Sequence, residues 1–321
     1  MMKPDQSVKT ALTDRFAGRV IAGFIALISI SVAGLTGCGA ARSGPPSGGP
    51  YLAGGFVPDP VPYRVYLPPD WDGRTPLPLI VFLHDRGGRC TDLQTSGVIS
   101  MMSAMMKTGE MPPFILAAPE SDQGYWVNYH DGTCRYADFL CGEFIPAMRT
   151  KYPVIAGPAG EHLLGVGTGA MGAVALGAAY PGRFGTVGAV EGQYFDTLGA
   201  SVYIGRHAFS GLRQIMGPPD NPDAMKVHSI YDRITSRAGV RGTRFILGSG
   251  AYADWETTES NEVFRQHLAQ LGISNDFVTY HGVSDRNGRL AVVPIFVGLQ
   301  LGDKRNQGDF LGMPYEVIMF R

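Results

Sequence analysis

The stretch HLLGVGTGAMGAVALGAAYPGRF, residues 162–184, decides the fold of this 321-residue chain. An apolar run, residues 162–166, enters a cluster of glycines, and an alanine-rich run of helical length follows. Tyr180-Pro181-Gly182 then ends that run. The order of apolar strand, glycine-rich turn and helix is typical of one unit of a parallel sheet.

The rest of the chain repeats this alternation of apolar runs and helical patterns. We predict short strands over residues 63–67, 77–84, 113–119, 185–190, 244–248 and 276–280. Helical spacing covers residues 136–152, 258–271 and 290–301, and residues 193–234 read as an irregular insertion. The predicted fold class is therefore α/β, with a mainly parallel central sheet and helices on both faces.

The N-terminus has the pattern of a targeting segment. Basic side chains form its first part: Lys3, Lys9, Arg15 and Arg19. Residues 20–35 are apolar but too few for a confident membrane-spanning helix. The tetrapeptide Leu35-Thr36-Gly37-Cys38 that follows resembles the bacterial lipobox, in which the cysteine is lipidated and becomes the mature N-terminus. An uncleaved anchor helix with a chance cysteine is the alternative interpretation.

These patterns divide the chain into four parts. We predict a signal peptide over residues 1–37, a tether rich in Gly, Pro and Ser over 38–56, a folded domain over 57–302 and a tail over 303–321. The expected location is outside the cytoplasm, where lipid on Cys38 anchors the protein to a bacterial membrane, either the outer membrane or the cell surface.

The charge and the cysteines exclude some classes of function. Lys and Arg number 27 against 28 Asp and Glu, so no basic excess exists to hold nucleic acid. Cys90, Cys134 and Cys141 show no C-x-x-C spacing, and we predict no metal site. Cys90 and Cys134 both follow strand ends at one edge of the expected sheet, which makes a disulfide between them a prediction.

Several blocks resemble the esterase D-like branch of the α/β-hydrolases. They include YRVYLPPDWDGRTPLPLIVFLHDRGG at residues 63–88, FILAAPESDQGYWVNYHDG at 114–132 and FIPAMRTKYPV at 144–154. The stretch at 162–184 and the pair RFILGSGAYAD and DFVTYHGVSD complete the match. That branch contains S-formylglutathione hydrolases, feruloyl esterases, enterochelin esterases and mycobacterial mycolyltransferases. The resemblance, over residues 57–301, implies an α/β-hydrolase fold.

The resemblance also implies where a catalytic triad of Ser, Asp or Glu, and His would fall. The nucleophile position is Gly167, in the pentad Gly165-Val166-Gly167-Thr168-Gly169. The acid position is Asp254, and the base position is Ser284. Two of the three groups that acyl transfer needs are therefore missing. Thr168 and His281 are the candidates for displaced catalytic residues.

The oxyanion loop of that branch usually reads His-Gly, and here it reads His84-Asp85. Thr168 follows the nucleophile position and would supply the second oxyanion amide. A carboxylate beside a site that holds an oxyanion has the wrong sign, so we expect Asp85 to oppose catalysis.

Loops after the strand ends carry side chains that could bind a ligand at the mouth of this site. They are Trp126, Asn128, His130, Glu191, Tyr252 and Trp255. The alternative interpretation is that the aromatic ones pack the core of long loops. The spacing G-x-G-x-x-G over residues 167–172 is a weak dinucleotide signal that the turn itself explains, and we predict no cofactor.

The sequence thus favours a lipid-anchored protein with an esterase fold and no catalysis, which binds or scaffolds in the cell envelope. Its partners would be the membrane, through Cys38, and a cell-envelope glycan, lipid or protein. Two alternatives are a working ester hydrolase or acyltransferase with displaced catalytic residues, and a purely structural envelope protein.

Overall fold

The computed structural model describes residues 49–207, 211–280 and 285–302, together with the backbone of 317–320. All of these residues lie in the second of the two units into which the chain divides, residues 36–321. The predicted signal peptide, Cys38, His281 and Ser284 lie outside the described residues.

The described chain is built on a nine-stranded sheet with the order β1-β2-β4-β3-β5-β6-β7-β8-β9. Its strands are β1 Tyr51–Leu52, β2 Val61–Tyr66, β3 Leu79–Leu83, β4 Ile115–Pro119, β5 Glu161–Val166, β6 Thr186–Val190, β7 Arg244–Gly250, β8 Asn275–Tyr280 and β9 Val317–Phe320. Strands β3 to β8 are parallel to their sheet neighbours among one another, and β1, β2 and β9 add antiparallel pairings. This confirms the predicted α/β-hydrolase fold.

Helices cover both faces of this sheet. They are α1 Asp92–Thr95, α2 Val98–Lys107, α3 Tyr136–Phe139, α4 Ile145–Lys151, α5 Thr168–Ala179, α6 Thr197–Arg206, α7 Leu212–Met216, α8 Pro222–His228, α9 Ile230–Arg233, α10 Trp255–Gln270, α11 Arg286–Ala291 and α12 Val293–Gln300. A π-helical turn, Leu140–Phe144, joins α3 to α4.

The central strands are buried on both faces, as their continuous apolar runs predict. Every residue of β3, β4, β5 and β6 is buried. One apolar cluster lies on the face that α5 covers, and it includes Ala170, Ala173 and Val174. A second cluster lies on the other face, where α12 contributes Phe296 and its neighbours. The two clusters fix the carboxyl edge of the sheet, where the site lies.

Three sequence predictions need correction. The predicted insertion over residues 193–234 is largely helical, because α6 to α9 fall within it. The predicted tether ends too late, since β1 pairs with β2 and the Gly55 amide donates to Glu143 Oε1 at 2.7 Å. The predicted tail contains β9, which pairs antiparallel with β8.

The predicted disulfide between Cys90 and Cys134 is wrong. The Cys90 thiol is buried and forms no such bond, and Cys141 likewise carries a buried thiol. Burial raises the pKa of the Cys141 thiol to about 11, so this thiol is inert near neutral pH. Among the described helices, none is both long and apolar enough to cross a membrane.

Candidate active site

The turn between β5 and α5 has the strained geometry of a nucleophile elbow. Gly167 lies at its apex with φ 56° and ψ −121°, a conformation that glycine adopts without a Cβ clash. The flanking glycines allow strand and helix to approach closely. A Cβ on Gly165 would lie 2.1 Å from the Gly169 carbonyl oxygen, and one on Gly169 would lie 2.0 Å from that of Leu83. The predicted strand–turn–helix unit is confirmed.

The carboxylate of Asp85 occupies the space in front of Gly167. A Cβ on Gly167 would stand 2.3 Å from Asp85 Cγ and 2.3 Å from Asp85 Oδ1. No Cβ atom tolerates such a contact, so a nucleophilic side chain and this Asp85 conformation exclude each other. A glycine at the apex is therefore what allows Asp85 to adopt this position.

Asp85 also receives the amides that would hold an oxyanion. Thr168 N donates to Asp85 Oδ1 at 2.9 Å, and Arg86 N donates to the same oxygen at 2.7 Å. In the α/β-hydrolase fold, the residue after the nucleophile and the loop after β3 supply these donors. The sequence prediction placed Asp85 beside the oxyanion site. The structure places its carboxylate within that site, as the anion that the amides bind.

Arg289 neutralises this carboxylate from α11. Its Nη2 lies 2.9 Å from Asp85 Oδ2, and its Nη1 lies 3.2 Å from Glu191 Oε2. Burial opposes the charge of Arg289, but the two carboxylates outweigh it and raise the pKa of the guanidinium. No sequence pattern pointed to this arginine, because it lies 204 positions from Asp85 and belongs to no motif.

Glu191 holds the other end of the network in a strained conformation. It follows β6 with φ 51°, which is unusual for a residue other than glycine, and its side chain is only 1% exposed. Its Oε1 accepts hydrogen bonds from Tyr280 Oη at 2.5 Å and from Gly250 N at 3.1 Å. The prediction that Glu191 lies at this edge is correct, and its contacts make it an internal partner of Arg289.

Thr168, the predicted displaced nucleophile, has its hydroxyl between two acceptors. Its Oγ1 lies 2.9 Å from the Gly124 carbonyl oxygen and 3.1 Å from Asp85 Oδ1. The nearby His84 is buried, and its Nε2 accepts a hydrogen bond from Ser121 N at 3.1 Å. The proton of this imidazole is therefore on Nδ1, which donates to the Asp85 carbonyl oxygen. Within the described ranges, no histidine hydrogen-bonds Thr168.

The family model described as "Putative esterase" matches residues 57–281. The chain belongs to this esterase family. No curated protein matches the chain.

Solved structures of esterases and related hydrolases share the fold of this family member. A ferulic acid esterase is 18% identical over 78% of this chain and 96% of its own, with a TM-score of 0.65. The fluorophosphonate-binding serine hydrolase FphF of Staphylococcus aureus is 13% identical over 79% and 97%, with a TM-score of 0.64. MPT51 (FbpC1) of Mycobacterium tuberculosis is 18% identical over 80% and 99%, with a TM-score of 0.58.

In this esterase-family chain, Asp254 caps a helix. Its Oδ1 accepts from Thr257 N at 2.8 Å and its Oδ2 from Thr257 Oγ1 at 2.8 Å, at the N-terminus of α10. Asp254 is exposed. The predicted acid position is thus explained by local structure, because an aspartate at this position satisfies orphan amides of the helix.

The predicted ligand-binding residues separate into two groups. Trp126 is fully buried and donates to the His84 carbonyl oxygen at 3.0 Å, so it packs the core beneath the turn. Asn128 donates to Asp138 Oδ2 at 2.9 Å and is likewise structural. His130 is exposed, as are Tyr252 and Trp255, at 71% and 69%. In the described part of the chain, no cluster of residues could hold a metal ion.

Proposed function

We propose that this protein is a non-catalytic member of the esterase family that binds or scaffolds in a bacterial cell envelope. The observation that carries the proposal is the position of the Asp85 carboxylate. It stands where the nucleophile's side chain would begin and binds both oxyanion amides. An ester that entered the site would find neither a nucleophile at residue 167 nor an empty place for its oxyanion.

Displacement of Asp85 is costly, because its carboxylate is paired and largely buried. Movement away from Thr168 N, Arg86 N and Arg289 would leave donors unsatisfied in a site where Asp85 is only 17% exposed. Loss of one partner from such a pair typically costs about 3–5 kcal/mol. The filled state is therefore the stable resting state of the site.

Hydrolysis of p-nitrophenyl acetate tests the absence of catalysis. We expect the wild type to hydrolyse the ester at the rate of a protein-free control, and Thr168→Val to leave that rate unchanged. Turnover well above the control that Thr168→Val abolishes would instead establish the second candidate, a hydrolase whose nucleophile is the Thr168 hydroxyl beside Asp85.

The proposed location rests on the basic and apolar leader that ends in Leu35-Thr36-Gly37-Cys38. Expression in a bacterium followed by mass spectrometry should find a mature chain that begins at a diacylglyceryl Cys38. Cys38→Ala should block this processing and remove the protein from the detergent-soluble membrane fraction. A wild-type chain with Cys38 unmodified or disulfide-bonded would contradict the anchor.

A binding role differs from a purely structural role in having a ligand. A screen of purified protein against cell-envelope glycans and lipids separates the two. Saturable binding of one class supports the binding role. Its absence across the screen, with the protein folded, would favour the purely structural alternative.

A further inference from the structure

A second concave site lies between α6 and α10. It is a groove of about 580 Å³ and shares no lining residue with the network of Asp85, Arg289 and Glu191. Small-molecule sites usually measure about 300–1,000 Å³ and are mostly apolar with a few polar groups. The groove meets both conditions.

Aromatic rings form much of its wall. Phe195 and Tyr203 lie with centroids 4.7 Å apart, and Tyr231 adds a third ring. Trp255, the first residue of α10, lines the groove while 69% of it is exposed to solvent. Leu198 on α6 is 72% exposed at the same groove. Such a concentration of exposed apolar surface marks an interaction site more often than isolated residues do.

The charged side chains of the groove give it an acidic character. Three carboxylates line it, those of Asp196, Glu256 and Glu259, against one guanidinium, Arg206. Arg206 Nη1 lies 3.1 Å from Glu256 Oε1, so this charge is matched. Glu259 is exposed and has no ion-pair partner among the described residues. The lining of the groove therefore carries a negative excess.

We propose that this groove binds an organic cation with an apolar body, such as a quaternary or alkylated ammonium. Aromatic faces attract cations through their negative π surface, and tryptophan does so best. The carboxylates favour the same charge and disfavour an anion. The apolar part of the ligand would cover Leu198 and the rings. The groove shares no lining residue with the site around Gly167 and Asp85, so the inference holds whether or not the protein hydrolyses esters.

Three soluble probes with one aromatic body test the charge preference: benzyltrimethylammonium, benzyl alcohol and phenylacetate. Binding is followed by tryptophan fluorescence and by isothermal titration with the folded domain. We expect the cation to bind about tenfold more tightly than the alcohol, and phenylacetate to bind most weakly. Trp255→Ala should weaken cation binding about tenfold, and Glu259→Gln should weaken it severalfold. Both residues are exposed, so these variants should fold.

Trp71→Phe is the matched control, because Trp71 lies in a surface turn with its Nε1 on the Thr75 carbonyl oxygen. It should leave affinity unchanged. Equal affinity for cation and alcohol, tightest binding of phenylacetate, or full affinity in Trp255→Ala would each overturn the proposal. The esterase assay has no bearing on these outcomes, so failure here is distinguishable from failure of the proposed function.

Discussion

The Asp85 carboxylate lies 2.3 Å from the point where a Cβ atom on Gly167 would stand. An elbow apex with a side chain carries backbone strain of about 1–3 kcal/mol, which enzymes tolerate because the nucleophile works there. Glycine removes that strain, and the space it leaves is filled by a carboxylate from the neighbouring loop. The two residues thus jointly fill the place of a nucleophile's side chain, and the proposed absence of catalysis rests on this.

Gly167→Ser should therefore destabilise the protein beyond its backbone strain. We expect a loss of about 3–5 kcal/mol, because the new Cβ displaces Asp85 from its amides and from Arg289. Gly272→Ser is the matched control, since Gly272 has φ 65° and nothing within 4 Å of its Cβ position; it should lose only about 1–2 kcal/mol. Urea unfolding measures both. Equal losses of unfolding free energy in the two variants would show that the Asp85 side chain moves aside without cost.

Asp85→Gly should convert the filled site into an empty anion site. The Thr168 and Arg86 amides and Arg289 would then face a cavity that fits a small carboxylate. We expect acetate at about ten times its dissociation constant to stabilise this variant by about 1.4 kcal/mol relative to sodium chloride of equal ionic strength. Thermal unfolding measures the effect.

Asp72→Gly is the control for that rescue. Asp72 also accepts two backbone amides, from Arg74 and Thr75, but on an exposed turn where water replaces it. Acetate should stabilise neither this variant nor the wild type. If acetate stabilised Asp72→Gly, or failed to stabilise Asp85→Gly, the amides would not form a specific anion site.

Helix α11 is tied to three strands through Arg289. The guanidinium pairs with Asp85 after β3 and with Glu191 after β6, and Glu191 accepts from Tyr280 at the end of β8. The network thus lies at the carboxyl edge of the sheet and joins the ends of these strands. Among the ion pairs of the described residues, both carboxylates pair with the Arg289 guanidinium, so this cation should contribute more to stability than a surface ion pair does.

Arg289→Met should cost about 3–5 kcal/mol of unfolding free energy, because it removes the guanidinium that pairs with both Asp85 and Glu191. Arg265→Met removes a partly exposed i,i+3 pair with Glu262 and should cost less than about 1 kcal/mol. The triple variant Asp85→Asn, Glu191→Gln, Arg289→Met should recover part of the loss. A single variant as stable as the Arg265 control would contradict a structural role for the network.

The buried histidine of β5 should make stability depend on pH. Burial lowers the pKa of His162 to about 4, and its Nδ1 lies 2.9 Å from Thr186 Oγ1. Between that value and an ordinary pKa of about 6.5, the unfolded chain binds a proton that the folded chain does not. Stability contributed by neutral His162 is therefore intact above about pH 6.5 and is lost as pH falls towards 4.

We expect wild type to lose about 2–3 kcal/mol from this residue between pH 7.5 and pH 4.5. Urea unfolding at the two pH values measures the difference in unfolding free energy, and this difference should be smaller in His162→Gln by the same amount. Burial lowers the pKa of His228 to about 4 as well, and this residue remains in both proteins as a common background. Identical slopes would mean that His162 is protonated in the folded state.

Across the molecule, local patterns predicted the fold better than the site. Local sequence alone determines some elements, and these could be predicted. They are the apolar runs of β3, β4 and β5 and the glycine-rich turn around residue 167. The glycine in place of a serine at residue 167 was equally visible. The orientation of the Asp85 carboxylate was not, because it depends on amides of Thr168 and a guanidinium from a distant helix. Burial of Trp126 and capping by Asp254 likewise need the assembled loops.

The central claim is that the Asp85 carboxylate fills the space in front of Gly167, and a fluorophosphonate probe tests this claim directly. Such probes form a covalent bond with an activated hydroxyl whose oxyanion site is accessible. The intact mass of wild-type protein after exposure to the probe should equal that of untreated protein, while an active serine hydrolase in the same tube gains one adduct. A single adduct on wild type, located on Thr168 by peptide mapping and absent in Thr168→Val, would contradict the account.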